Sequence, residues 1–317
     1  VTTGWLARRV LLALFAAFGV VLIVFALIRL VPGDVVTNLI GLEGNVSAEQ
    51  QAELRRLFGL NLPLHAQFGQ WFGALLSGDL GSSLRTGRPV FGDLLLRFPV
   101  TLELALLALV IALLIAVPLG VVAALRRGRA ADFASNAFVL LGLAAPEFWL
   151  AILFILLFSL RQGWFPPNGY VPFTESPLRN LWFMFLPAFA LSLSLAAAVT
   201  RIVRSSLLEV LSLDYVRTAR AKGVKERAVV YRHAMRNALI PVVTVVGLQV
   251  GNLLGGAVII EQIFGLPGIG RFALEGINLR DYPVVQGAVL WIATTFVLVN
   301  VLVDVLYALI DRRVVYG

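Results

Sequence analysis

The chain has no cysteine, which excludes a disulfide framework and any thiolate metal site. Histidine occurs only as His65 and His233, and no H-E-x-x-H pattern is present. The usual zinc-hydrolase arrangement is therefore missing. Charge is scarce: Asp, Glu, Lys and Arg make up 14 % of the residues, against about 25 % in an ordinary soluble domain. No G-x-x-x-x-G-K-[ST] phosphate loop occurs, so ATP hydrolysis by that motif is not expected of this chain. Ten-residue segments of alternating polarity are also lacking, which argues against a transmembrane β-barrel.

Apolar surface is what the chain has in excess. Hydrophobic residues make up 59 % of its 317 positions and the mean hydropathy is +0.90. So much apolar surface does not fit inside a water-soluble core, and lipid must serve as part of the solvent. Six runs reach the length of about 20 residues that a helix needs to cross the hydrocarbon. They cover roughly 9–31, 99–125, 134–160, 181–204, 239–262 and 284–310. The expected class is an all-α integral membrane protein with six transmembrane helices. The first run follows Arg8 and Arg9, exceeds a signal-peptide core in length and lacks an A-x-A-like site, so it is expected to remain as a span.

Basic residues orient the spans. Segments 1–9, 126–133, 205–238 and 311–317, with Arg201 and Arg204 at the adjoining helix end, hold 16 of the 26 Lys and Arg. Segments 32–98, 161–180 and 263–283 hold 9. The first set is expected in the cytoplasm, with both termini inside. The net charge of +8 then reflects attraction to anionic lipid. A nucleic-acid partner is not expected, because the basic stretch lacks the interleaved aromatics that stack on bases.

The outer loop 32–98 carries helical signals. Ser47 and Gln50 have capping-box spacing and Gly59 is a stop. Further on, Leu64, Phe68, Trp71 and Leu75 fall on one helical face, expected at the outer interface with Trp71 at headgroup depth and His65 an ordinary interfacial side chain. The stretch FGLPGIG lacks the βαβ setting of a phosphate loop. It is expected to be a turn and part of an outer gate built on Phe264, Gly265, Leu266, Pro267 and Gly268.

Polar groups at bilayer depth are costly and often functional. Glu147 lies mid-span beside Pro146, which is expected to kink the helix. It is a candidate for the translocation pathway, with Gln249 and Asn252; the bland alternatives are a carboxylate satisfied by a neighbouring helix and one kept protonated. Glu103, near the outer start of the second span, is assigned to the helix dipole. Asn300 and Asp304 are assigned to helix packing.

One segment stands apart: DYVRTARAKGVKERAVVYRHAMRNALIP, residues 214–241, with seven Lys and Arg between 217 and 236. Asp214 is expected to N-cap a short helix through Tyr215, Val216, Arg217, Thr218, Ala219, Arg220, Ala221 and Lys222, and Gly223 to end it with φ > 0. A merely solvated loop needs charge, not a cap, small residues and a terminator in order. A short basic helix of this kind is suited to docking in a groove on an acidic partner.

At these residues the chain resembles the membrane subunits of ABC importers, whose cytoplasmic motif is E-A-A-x-x-x-G followed by an apolar stretch and Pro. Thr218, Ala219 and Gly223 fall on it, and Arg217 replaces the Glu. The version here looks like that of the peptide/nickel branch. Further matches are RLVPGD at 29–34, GDLGSSL at 78–84, TLELALLAL at 101–109, EQIFGLPGIGR at 261–271 and RDYPVVQG at 280–287. The long outer loop after the first span resembles the B-type subunit of the paired permeases.

The resemblance implies the type I importer permease fold. It implies an N-terminal helix plus outer loop (1–98), a permease domain (99–310) with its ATPase-coupling helix at about 214–223, and a cytoplasmic tail (311–317). It also implies a second related permease, two cytoplasmic ATPases that bind ATP and magnesium, and an extracytoplasmic binding protein. Peptides are the expected cargo; nickel chelates, glutathione and oligosaccharides are the alternatives within the class. A stand-alone secondary transporter would often show inverted repeats, and none is evident. An intramembrane protease would need paired catalytic groups at depth, and neither histidine lies there.

Overall fold

The computed structural model describes residues 3–30, 49, 56 and 61–310, and among these the chain is helical apart from turns and one isolated bridge between Ser82 and Pro89. The helices are α1 (Thr3–Leu30), α2 (Leu64–Leu76), α3 (Val90–Leu125), α4 (Ala130–Ala144) and α5 (Glu147–Phe154), which continues as π-helical turns over Ile155–Arg161. They are followed by α6 (Pro177–Leu211), α7 (Asp214–Ala221), α8 (Met235–Phe264), α9 (Ile269–Asn278) and α10 (Tyr282–Ile310). A helical turn at Glu226–Ala228 and a π-helical stretch at Val229–Ala234 lead into α8. Among the described residues four helices are long and apolar enough to cross a membrane, and up to six spans result if each bent pair counts as one. Within the described residues the six apolar runs fall on helix, except where Ala145 and Pro146 interrupt the third. The capping-box helix expected at 47–59 lies outside the described residues except for Glu49 and Arg56, and so does the tail 311–317.

The third run is broken rather than kinked. Its halves, Ala130–Ala144 and Glu147–Arg161, meet at 103°. The ring of Pro146 disfavours helical geometry at the residue before it, and Ala145 is extended at φ −79 and ψ 125. Pro146 itself stands at φ −64 and ψ 135, so α5 begins afresh at Glu147.

Helix α6 is the centre of the molecule. Its Met184, Leu191, Leu195, Ala196, Val199 and Leu207 are buried, and α3, α4, α5 and α8 all pack on it. Small residues permit the close approach that membrane helices need, where dispersion replaces the hydrophobic effect as the driving force. A Cβ on Gly120 of α3 would lie 2.7 Å from Val203, and one on Gly142 of α4 would lie 2.7 Å from the Ala197 methyl. Near the start of α4, Arg204 of α6 grips Asp132 bidentately at 2.6 and 2.9 Å.

The outer pieces are tied by long-range polar contacts. Ser83 donates to the buried Asp281 carboxylate at 2.5 Å, and the Leu84 N–H reaches its other oxygen at 3.2 Å. Arg85 donates to the Leu279 carbonyl at 3.0 Å. The GDLGSSL and RDYPVVQG stretches thus form one junction. In α2, Phe68 and Trp71 pack on Phe25 of α1, with ring centroids 5.1 and 5.7 Å away. Leu64 does not share that packed face: it is 62 % exposed.

Three polar expectations sort differently. Asp304 pairs with Arg9 at 2.9 Å and so joins α10 to α1, as a packing group should. Asn300 instead donates to the Phe296 carbonyl of its own helix. Glu103 is not at a helix start, because α3 begins at Val90, more than three turns earlier. It accepts from the Tyr170 hydroxyl at 3.0 Å, and burial together with that carboxylate pushes the Tyr170 phenol up to about 12.

The close α4/α6 contact is testable. Gly142→Val should destabilise the purified protein by about 1–3 kcal/mol through overpacking, seen as a lower apparent Tm. Gly73→Ala, on α2 where a Cβ meets nothing within 4 Å, should leave the Tm unchanged.

Candidate functional site

Three places hold the residues singled out in the sequence. The first is α7. Asp214 is the first helical residue rather than the N-cap, because Leu213 takes the extended N-cap position at ψ 150. The Asp214 carboxylate reaches Arg217 at 3.3 Å instead of capping a backbone N–H. The C-terminus follows expectation. Gly223 has φ 75, its N–H bonds the Arg220 carbonyl at 2.9 Å, and the Val224 N–H bonds the Ala219 carbonyl at 3.2 Å. That pair of bonds is a Schellman motif, with Val224 and Ala219 packed on the same apolar cluster. Arg220 closes over the turn onto Glu226 at 2.7 Å and holds that carboxyl below its ordinary range.

The helix is amphipathic in a way that fits docking. Val216 is fully buried in the core of the membrane domain. Tyr215, Arg217, Thr218, Arg220, Ala221 and Lys222 are exposed. The Tyr215 hydroxyl accepts from the Asn237 amide at 2.8 Å, tying α7 to the base of α8. Just before α7, Ser206 of α6 donates to the Ala238 carbonyl at 2.9 Å. The two bonds link the base of α8 to α7 and to the end of α6.

The second place is the outer turn. Phe264 is buried, and Gly265 ends α8 in the left-handed region at φ 66. Leu266 is buried and Gly268 is the N-cap residue of α9. The organising group is one that the sequence reading left without a role: Glu261, fully buried on α8. Its carboxylate accepts the Thr101 hydroxyl of α3 at 2.6 Å and the Arg271 N–H at 2.9 Å, and the Gly270 N–H also bonds it. Thr101 in turn accepts the Ile269 N–H at 2.9 Å. The first three orphan donors of α9 are thereby satisfied, and an anion stands at the positive end of its dipole. A Cβ on Gly268 would fall inside the Glu261 carboxylate, which explains the glycine. The loop before α6 latches on as well: the Gly169 N–H bonds the Phe264 carbonyl at 3.1 Å.

The third place is the break between α4 and α5. Glu147, the first residue of α5, lies against α8 at Gly256, where a Cβ would come within 2.8 Å of its Oε2. Positions 249, 252 and 256 share one face of α8 by helical spacing. Gln249 is half-buried and has a partner; the side chain of Asn252 lies outside the described residues. A separate cleft of about 500 Å³ lies between α3 and α10, lined by Phe91, Phe98, Leu102, Trp291, Leu298 and Leu302 among others. It contains none of the candidate residues, and its walls suit hydrocarbon rather than a polar solute.

The outer turn yields a double-mutant cycle. Glu261→Ala should destabilise by about 1–3 kcal/mol for the donors left unsatisfied. Gly268→Ala should destabilise as well, by forcing a methyl onto the carboxylate. The double variant should lose less than the sum, because the clash disappears with the carboxylate; apparent Tm of the four proteins checks it.

The model of the binding-protein-dependent transport system inner membrane component family matches residues 116–316. A relative from Brucella suis is 45 % identical over 314 residues, covering 99 % of each chain. The di/tripeptide transport system permease protein of Pseudomonas aeruginosa is 43 % identical over 331 residues, and the dipeptide transport system permease protein of Escherichia coli 39 % over 333, each covering 98 % of both chains. A solved amino acid ABC transporter is similar at a TM-score of 0.48 and 17 % identity, over 70 % of this chain and 94 % of that one. Built on apolar helices throughout and matched along nearly its whole length, the chain belongs to the inner-membrane permease family of binding-protein-dependent ABC importers.

Proposed function

We propose that this permease forms half of the pathway of an importer for dipeptides or oligopeptides. A second related permease completes a heterodimer, two cytoplasmic ATPases carry ATP and magnesium, and an extracytoplasmic binding protein delivers the cargo. Peptide is favoured as the cargo because the Pseudomonas aeruginosa and Escherichia coli relatives are di/tripeptide and dipeptide permeases. The chain itself supplies a path and a lever; the chemistry of ATP belongs to the partners.

The observation that carries the coupling role is the construction of α7. It is short, ended by a Schellman turn, anchored by Val216 and basic on its open face. Closure of an ATPase groove around such a helix moves it as a rigid body, which is the kind of bistable element a transport cycle uses. Exposed ion pairs from Arg217 are worth only about 0–1 kcal/mol each, so shape supplies much of the docking and the acidic groove supplies register. The outer turn at Phe264–Gly268 closes the pathway on the far side, and its stiff tie to α8 lets motion at the base of that helix reach it. The basic segments support a cytoplasmic position for α7 and for both termini.

Reconstitution with the three kinds of partner tests the reading. ATP-dependent uptake of labelled di- and oligopeptides that requires the binding protein is the expected result. Gly223→Val places a β-branched residue in the left-handed region at a cost of about 1–2 kcal/mol. It should cut uptake severely while ATP hydrolysis continues. Wild-type uptake by a stably assembled Gly223→Val complex would remove α7 from the coupling role. Orientation has its own check, because the chain lacks cysteine. Lys222→Cys should react with an impermeant maleimide only from the cytoplasmic side, and Thr86→Cys only from the outside.

A further inference from the structure

Five of the carboxylates on the membrane helices fall into two groups. Glu103 meets Tyr170, Asp132 meets Arg204, Glu261 meets Thr101 and the start of α9, and Asp304 meets Arg9. Glu147 alone of these five makes no hydrogen bond and no ion pair with any described residue. It is not enclosed either: it is half-buried. The chain makes room for it from two sides. Pro146 and the 103° break bring Glu147 to the head of a new helix instead of leaving it inside a continuous one. Gly256 supplies a recess on α8 that any larger residue would fill, with Leu191 of α6 as the apolar wall beside it.

We propose that Glu147 is the specificity-determining contact for the cationic amino terminus of the transported peptide. This rests on the peptide-importer reading above. A carboxylate in a recess of low polarity, with no counter-charge among the described residues, is matched by a mobile cation. The α-ammonium is the one cation shared by free peptides of any sequence, so a single fixed carboxylate selects the class without selecting side chains. The ammonium offers three donors and the carboxylate is acceptor-only. That complementarity is charge-assisted and stronger than a neutral pair. The apolar wall at Leu191 contributes contact that is indifferent to side-chain identity.

The test uses the reconstituted complex with its binding protein and an unmodified labelled dipeptide, reading uptake and stimulated ATP hydrolysis side by side. Glu147→Gln keeps the size and the hydrogen-bonding capacity and removes the charge; Glu147→Asp keeps the charge. The expected result is that Glu147→Gln lowers uptake at limiting peptide by about tenfold or more, the scale of one lost charge-assisted contact. Glu147→Asp should recover most of it, and ATP hydrolysis stimulated by the binding protein should stay within about twofold of wild type in both. Wild-type uptake by Glu147→Gln overturns the assignment. So does a parallel fall of ATP hydrolysis and uptake in Glu147→Gln, or equal loss in both variants, because either marks a structural role. If the wild-type complex shows binding-protein-stimulated hydrolysis but moves no peptide, the cargo reading itself fails and the assignment falls with it.

Discussion

Inside a bilayer a chain has no water to satisfy its backbone, so every interruption of a helix must find its own donors and acceptors. Much of this structure follows from how two interruptions are handled. At the outer turn the interruption is closed: Glu261 and Thr101 supply acceptors for the first N–H groups of α9, and Gly268 makes way for the carboxylate. At Pro146 it is left open: the chain bends through 103° and places at the break a carboxylate that bonds none of the described residues. One break makes a stiff corner and the other presents a carboxylate. Both sit on α8, which carries Gly256 in one part and Glu261 further along.

Around these breaks the helices are held by fit rather than by charge. α6 is rich in Ala and Ser, and Gly120 and Gly142 on its neighbours bring backbones close enough for dense dispersion contact. Strong polar contacts occur toward the ends of the bundle: Asp132 with Arg204 at one, Asp281 with Ser83 at the other.

Long apolar runs and terminators were legible in the sequence because they are local. The six spans follow from length and composition, and Gly223 follows from the demand for φ > 0 at the end of α7. Asp214 was misplaced by one position because Leu213, with no capping oxygen, took the extended place. Pro146 signalled a disturbance, but whether the helix bends or breaks depends on what α6 and α8 offer each half. Glu261 could not be assigned from neighbours in sequence: its hydroxyl partner is 160 residues away. The one available hint was a lone acid at the end of an apolar run before a Gly-Pro turn. The Ser83–Asp281 junction, 198 residues apart, was hidden for the same reason. Glu103 was misread because α3 begins well before the apolar run does.

The break at Pro146 also bears on how the protein enters the membrane. α4 has 15 residues, and α5 with its π-helical extension runs from Glu147 to Arg161. At 1.5 Å per residue each half is only about 22 Å long, short of a hydrocarbon core of about 30 Å. Neither half qualifies as a self-sufficient stop for the insertion machinery, and the pair carries a carboxylate at its joint. Its final position therefore depends on α6, which is synthesised afterwards and supplies the surface on which both halves rest. The third span is thus completed in retrospect, by the helix that follows it.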